Sequence, residues 1–317
     1  MRQRLAKPAG SKMQSAAQDR GFALVLVIWV ISLISLMVAG YSTLMRSEIK
    51  LASNALEAQR AELLADAGTE LALLDIARTA SIKGHQPKYT SGQPKLCTIA
   101  DAGIVRLTIS NEAGRVDLNA AGIPLLEALF SGLGFADRAS ALAALLYDYR
   151  DGDDDARVNG GEREHYSQAG LTWGPKNSDL TSVEELSQVA GFDAGLIERL
   201  TPFVTVNTGQ AGIAADAAPA ALLEILQKGS AGRVVSLSSF PELDRTLALP
   251  RIFFSPLRRN VFSVQSEART SSGAHFVRQA IVRITQGPRN PIEVLGWRTQ
   301  RNGERLPESA SLVPCPN

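Results

Sequence analysis

The strongest pattern in the chain is its first one. From Gly21 to Met45, 25 residues pass without a charge. At about 1.5 Å per helical residue, such a run crosses the ~30 Å hydrocarbon core of a bilayer. A secretory h-region is shorter, about 7–15 residues, and ends at a small-residue A-x-A-like site that is missing here. Beyond Met45 the pattern changes without a break. The stretch RSEIKLASNALEAQRAELLADAGTELALLDIARTA is rich in Ala, Leu, Glu and Arg, has no Pro, and brings Leu56, Leu63, Leu64, Leu71 and Leu74 near one face. These features predict one helix over Phe22–Arg78, apolar in its first half and amphipathic in its second.

A polar linker, IKGHQPKYTSGQPKLC, ends the helix. GIVRLTISNEAGRVDLN alternates apolar and polar residues around Asn111–Gly114, which predicts two short strands and a turn. From Asn119 to Gln227 the pattern is that of short helices. After Pro250 alternation returns in NVFSVQSEART, then in AHFVRQAIVRITQ beyond a turn at Ser271–Gly273, and in IEVLGWRTQ. The expected class is α+β: a long N-terminal transmembrane and amphipathic helix, then an antiparallel sheet interrupted by an all-α insertion. The boundaries read as a leader over 1–21, a membrane helix over 22–45, its amphipathic continuation over 46–79 and a first β part over 80–118. The insertion follows over 119–228, a second β part over 229–302 and a tail over 303–317. One repeat is visible: Ala120–Gly132, AAGIPLLEALFSG, aligns without gaps to Ala217–Gly229, AAPAALLEILQKG. The repeat is weak, and two amphipathic helices with Ala-rich starts look alike by chance.

Charge adds orientation. Arg2, Arg4, Lys7, Lys12 and Arg20 precede the apolar run against Asp19 alone, so the positive-inside rule keeps the leader in the cytoplasm and sends the rest across. The net charge of +1 over 317 residues gives no global field for nucleic acid or acidic partners. Enzyme signatures are missing: His85, His165 and His275 stand far apart, and there is no Gly-x-Ser-x-Gly elbow, HExxH, P-loop or dinucleotide fingerprint. Cys97 and Cys315 lack CxxC spacing. On the oxidising side of a membrane they either bridge or remain two unrelated thiols.

Two constellations carry chemistry. In DGDDDARVNGGE, Asp151, Asp153 and Asp155 take the first, third and fifth places of a loop, Asn159 the ninth and Glu162 the twelfth. That is close to EF-hand spacing for calcium, which takes six to eight oxygens. Ala156 stands where an EF-hand needs Gly, so the expectation is an oxygen-rich calcium loop rather than an EF-hand, with Asp148 and Glu164 as flanking candidates. A solvated acidic loop is the plain alternative. The second constellation is LNAAGIPLLEALFSGLGFADRASALAALLYDYR, a helix-hairpin-helix pattern with Gly132–Gly134 as the hairpin. LTSVEELSQVAGFDAGLIERL reads as a degenerate second copy with Asp193 where its closing Gly would stand. Such hairpins present backbone N–H groups to phosphate, but an acidic loop follows, and no basic patch with interleaved aromatics surrounds this one.

The short basic leader, Gly21 before Phe22, the long apolar helix and the amphipathic continuation together resemble the type IV pilins and type II secretion pseudopilins. The resemblance implies cleavage by a prepilin peptidase between Gly21 and Phe22 and methylation of the new N-terminus at Phe22. Members usually carry Glu at the fifth mature position; here that residue is Leu26. Absence of that acid, an insertion within the sheet, and GRVDLNAA, LLYDYRDGDDD, GGEREHY, LTSVEELSQVAGF and LTPFVTV in this order resemble the minor pseudopilin K family. The implied fold is a pilin-like antiparallel sheet interrupted by a helix-hairpin-helix or SAM-like all-α domain. The implied role is non-enzymatic assembly at the pseudopilus tip, supporting export of folded proteins across the outer membrane. Its partners would be other minor pseudopilins, met through the N-terminal helix, the inner-membrane assembly platform and the prepilin peptidase. Its place would be the bacterial inner membrane, single pass, with the C-terminal domain periplasmic, and its cofactor Ca2+ in the α domain. The competing reading is a membrane-anchored helix-hairpin-helix DNA receptor of competence type.

Overall fold

The computed structural model describes residues 18–81, 94–99, 102–230, 249–256, 258, 260–285, 291–300 and 315. Arg2, Arg4, Lys7 and Lys12 of the leader, His85 in the linker and the tail apart from Cys315 lie outside the described residues.

Helix α1 spans Gln18–Ser81 without interruption. It includes Gly21 and Phe22 in its opening turns and contains a segment long and apolar enough to cross a membrane. The chain divides into two units between Gln59 and Arg60. In the first, the apolar side chains from Phe22 to Met45 are exposed, as a lipid-facing helix requires, because hydrocarbon and not protein would cover them.

The second unit contains the end of α1 and a five-stranded antiparallel sheet. Its strands are β1 Lys95–Ile99, β2 Gly103–Asn111, β5 Val261–Thr270, β6 His275–Ile284 and β7 Ile292–Gln300, in the spatial order β1-β2-β5-β6-β7. Val105, Leu107 and Ile109 alternate along β2 and meet Leu64, Ala65, Ala72, Leu73 and Ile76 of α1 together with Val264, Ala280 and Val282. The helix face laid on the sheet only partly matches the leucine face that the spacing suggested: Leu64 is buried and Leu71 half-buried. Leu56, Leu63 and Leu74 are exposed, whereas Ala61, Ala65, Ala72 and Thr69 are fully buried. The reason is distance: a Cβ on Gly68 would collide with Ser266 and Val105, so only small side chains let the helix backbone come this close. Arg278 on β6 fastens the helix at the polar margin, through Asp66 at 2.6 Å and Glu62 at 2.7 Å.

The expected pair of short strands around Asn111–Gly114 is not a hairpin. β2 runs its full length to Asn111, a 3-10 turn follows at Glu112–Gly114, and Val116–Asp117 (β3) pairs in parallel with Val204–Thr205 (β4). The first strand of the sheet, β1, lies in what the composition suggested was linker. It reads poorly because it is an edge strand of five residues with one buried side chain, Cys97.

Everything between β2 and β5 is an insertion into one strand pair. Asn111 closes β2 directly opposite Phe262 in β5, so the chain leaves the sheet and returns to it at adjacent points. The insertion has its own core, built by α2 Ile123–Phe130, α3 Ala139–Arg150, α4 Arg163–Gln168, α5 Ala194–Leu200 and α6 Ala220–Gly229. The sequence repeat has a physical counterpart here. A Cβ on Gly132 would strike the carbonyl of Ile225, and one on Gly229 would strike the carbonyl of Ala128. These are equivalent positions of the two copies, so α2 and α6 meet through a reciprocal contact that glycine alone permits.

Candidate metal centre

The centre forms where α3 ends and α4 begins. Asp148, in the last turn of α3, is wholly buried, and its Oδ2 accepts the backbone N–H groups of Arg157 at 3.0 Å and Gly161 at 2.9 Å. The chain can wrap this carboxylate because residue 160 is glycine; any Cβ there would overlap Oδ2. Asp151 caps the C-terminus of α3, its N–H bonded to the Tyr147 carbonyl. Glu162 is the residue before α4, in the place where a side chain usually caps the helix, yet it makes no cap bond. Its side chain turns inward and is 8% exposed.

Ligand oxygens of Asp148, Asp151 and Glu162 lie within 4.8 Å of one another. Asp148 Oδ1, Asp151 Oδ1 and both Glu162 oxygens are buried without a hydrogen-bond partner. Buried carboxylate oxygens normally find donors, and leaving one unpaired costs free energy. Burial, then the charges of Asp148, Asp151, Asp154 and Asp153, push the Glu162 carboxyl up to about 7. Asp151 is raised for the same reasons, opposed by Arg157 and Arg150. A carboxyl raised in the fold binds more protons there than in the unfolded chain, so Glu162 lowers stability progressively as pH rises from about 4.5 to about 7. A divalent cation would remove that penalty. Calcium sits 2.3–2.6 Å from its oxygens, so two ligands across it are up to about 5 Å apart, and this group fits.

The loop places the other nominated residues elsewhere. Asp153 is exposed and spends Oδ1 on the Asp155 N–H at 3.0 Å. Asp155 and Asn159 are exposed, the latter with φ 66 to turn the chain. Glu164 is exposed on α4 and accepts from Gln168 at 3.2 Å. An EF-hand loop needs its sixth residue in a turn that glycine allows; with Ala156 there, the chain runs outward instead of folding back around a central ion. In the sequence Asp148 is only a residue flanking the acidic cluster. Arg157, whose guanidinium lies 4.0 Å from the Tyr147 ring centre and reaches Asp148 and Asp151, carried no signal.

The two hairpins face each other rather than standing apart. α2 and α3 are joined through Gly134 at φ 98, and the second copy turns at Gly191, φ 83, into α5. Phe130 and Phe192 pack edge to face at 5.7 Å. Arg138 pairs with Asp193 at 2.5 Å, and Arg199 donates to the Leu133 carbonyl at 3.3 Å. Asp193, where the closing glycine would stand, instead caps α5 by accepting from Leu196 N–H, and Arg138 holds its carboxyl below the usual range. The anionic place at this helix start is filled by the protein's own carboxylate, and both nearby arginines are engaged. Between the hairpins and the sheet, Asp117 is buried and accepts five hydrogen bonds, from Asn119, Ala120, Thr208 (twice) and Gly209. Asn119 bonds Leu180 and Val206, and Arg150 donates to the Leu118 and Ala121 carbonyls.

Residues 105–209, from β2 through the loop after β4, match the family model described as type II secretion system (T2SS), protein K. The type II secretion system protein K of Klebsiella pneumoniae is 27% identical over 204 residues, 59% of this chain and 62% of that protein. The chain thus matches 62% of that relative's length. A chain in the crystal structure of the GspK-GspI-GspJ complex from the enterotoxigenic Escherichia coli type 2 secretion system superposes with a TM-score of 0.54 and 22% identity. The superposition covers 81% of this chain and 99% of that one. The fold is the pilin-like one: a long N-terminal helix, an antiparallel sheet and a mainly helical insertion that holds one two-residue strand pair instead of the all-α domain expected.

Proposed function

We propose that this chain, whose residues 105–209 match the family model of type II secretion system protein K, works as a minor pseudopilin at the tip of a pseudopilus. The observation that carries this reading is the helical insertion between adjacent strands of a sheet that packs on an apolar-led helix. In this reading α1 anchors the chain in the inner membrane, with the sheet and the insertion in the periplasm. The exposed Leu56, Leu63 and Leu74 recur at spacings of seven and eleven residues and suit packing against helices of other minor pseudopilins; the solved relative is named in complex with GspI and GspJ. Leu26 agrees with a tip position. An acid in the bilayer core is retained only where it has a partner, and a tip subunit has no subunit ahead to supply one. The role is assembly, not catalysis.

Prepilin peptidase would cut between Gly21 and Phe22, and the new N-terminus at Phe22 would be methylated. N-terminal sequencing of the chain extracted from membranes is expected to begin at Phe22. A start at Met1, or a cut near Ala39–Gly40, removes the pseudopilin reading.

The centre at Asp148, Asp151 and Glu162 would hold calcium, with water and loop oxygens filling the remaining positions. Its chemistry there is neutralisation: it would tie the end of α3 to the start of α4. A ligand that binds only the folded state stabilises by about 2.7 kcal/mol at a hundredfold excess over Kd. The full-length chain in detergent micelles at pH 8, where Glu162 is ionised, is expected to melt higher with calcium than with chelator. Magnesium should give less, since it gives up its water shell reluctantly. Glu162→Gln should remove most of the response. Identical melting with calcium and chelator would mean that these carboxylates hold no calcium.

A further inference from the structure

Resting on the metal reading above, we propose that Arg157 is a built-in competitor that sets the cation affinity of this centre. Its Nε lies 3.6 Å from Asp148 Oδ1, and a terminal nitrogen lies 3.3 Å from Asp151 Oδ2. Asp148 Oδ1 is one of the buried oxygens without a hydrogen bond; at 3.6 Å the guanidinium attracts it by charge alone. The positive group therefore stands at the oxygens a cation would take. Its charge is permanent, since a guanidinium does not lose its proton in proteins.

Three features make the side chain removable while the loop stays in place. The anchor of residue 157 is its main chain, through the N–H bond to Asp148 Oδ2 at 3.0 Å. The Arg157 side chain is 38% exposed, so it can leave for water without crossing packed protein. Tyr147 supplies a resting surface: the guanidinium carbon lies 4.0 Å from the ring centre. The neighbouring Arg150 lies 4.8 Å from the same ring, but it is 9% exposed and its terminal nitrogens donate to the Leu118 and Ala121 carbonyls. Arg150 is fixed, and Arg157 is the charge that can yield. Calcium entry is then coupled to release of Arg157, and affinity is lower than the carboxylates alone would give.

The test is the calcium dissociation constant of the full-length chain in micelles at pH 8, read by competition with a chromophoric chelator, for the unaltered chain, R157M and R157K. R157M keeps most of the stem and the backbone anchor and removes the charge. It is expected to bind roughly tenfold tighter, about 1.4 kcal/mol, while R157K, with the charge retained, stays near the unaltered chain. If R157M binds equally or more weakly while the unaltered chain binds calcium, Arg157 is not a competitor and the centre stands. If R157K binds as tightly as R157M, charge is not the cause and the inference fails. If neither the unaltered chain nor R157M binds, the metal reading fails with it. Binding by R157M alone would mean that the guanidinium holds the centre closed, which supports the inference.

Discussion

Replacing Cys97 and Cys315 together by alanine is expected to lower stability by about 5 kcal/mol in the chain-entropy model. The two cysteines form a disulfide across a sequence separation of 218, and a loop that long is where a cross-link most restricts the unfolded chain. In the fold the bridge pins residue 315 to the outer edge of β1, where its N–H also donates to the Thr98 carbonyl at 2.8 Å. An edge strand of five residues with one neighbour is the weakest element of a sheet, so its loss should be local first and global afterwards. Denaturant unfolding of the full-length chain in micelles, followed by tryptophan fluorescence, reads the difference as a lower midpoint. Reductant added to the unaltered chain should reproduce it. A midpoint that is the same in all three samples would show that the bridge contributes nothing.

Asp117→Ala is expected to cost about 4–5 kcal/mol, since it leaves several buried donors without an acceptor at roughly 1–3 kcal/mol each. Asp117 is 1% exposed and holds Asn119 N–H at 2.8 Å and Ala120 N–H at 3.2 Å with one oxygen. With the other it holds Thr208 N–H, Thr208 Oγ1 and Gly209 N–H, each at 2.8 Å. It thus ties the entrance of the insertion to the segment after β4, beside the two-residue parallel pair. Asp117→Asn keeps one acceptor but turns an NH2 toward donors, so it should recover less than half of the loss. Calorimetry should show the transition of the helical insertion falling for Asp117→Ala while far-ultraviolet circular dichroism at low temperature stays unchanged. An unshifted transition would mean that water replaces the carboxylate without penalty.

The acidic centre shows how far a linear pattern reaches. Spacing along the chain nominated Asp151 and Glu162, which do converge, because both flank helix ends whose positions the apolar period sets. The same spacing also nominated Asp153, Asp155 and Asn159, which point to solvent. Asp148, a flanking candidate in the sequence, lies at the centre of the group because the loop folds back across Gly160 and Gly161 onto the end of α3. That return path is a tertiary event, and no local rule encodes it.

The same division holds for the fold. By itself the sequence determined the uncharged run from Gly21 to Met45, the unbroken helix beyond it, the alternation of β5 and β6 and the turn at Ser271–Gly273, where Gly273 takes φ 95. Each depends on side-chain direction over a few residues, which period and turn chemistry fix locally. The tertiary structure alone decided that α1 buries its alanines, Gly68, Leu64 and Leu73 while Leu56, Leu63 and Leu74 stay exposed, and that Val116–Asp117 pairs with Val204–Thr205 rather than with β2. It also decided that Gly132 and Gly229 meet across α2 and α6 and that Cys97 reaches Cys315. These outcomes depend on which distant surface arrives and how closely its backbone can approach, quantities set by packing between residues far apart in the chain.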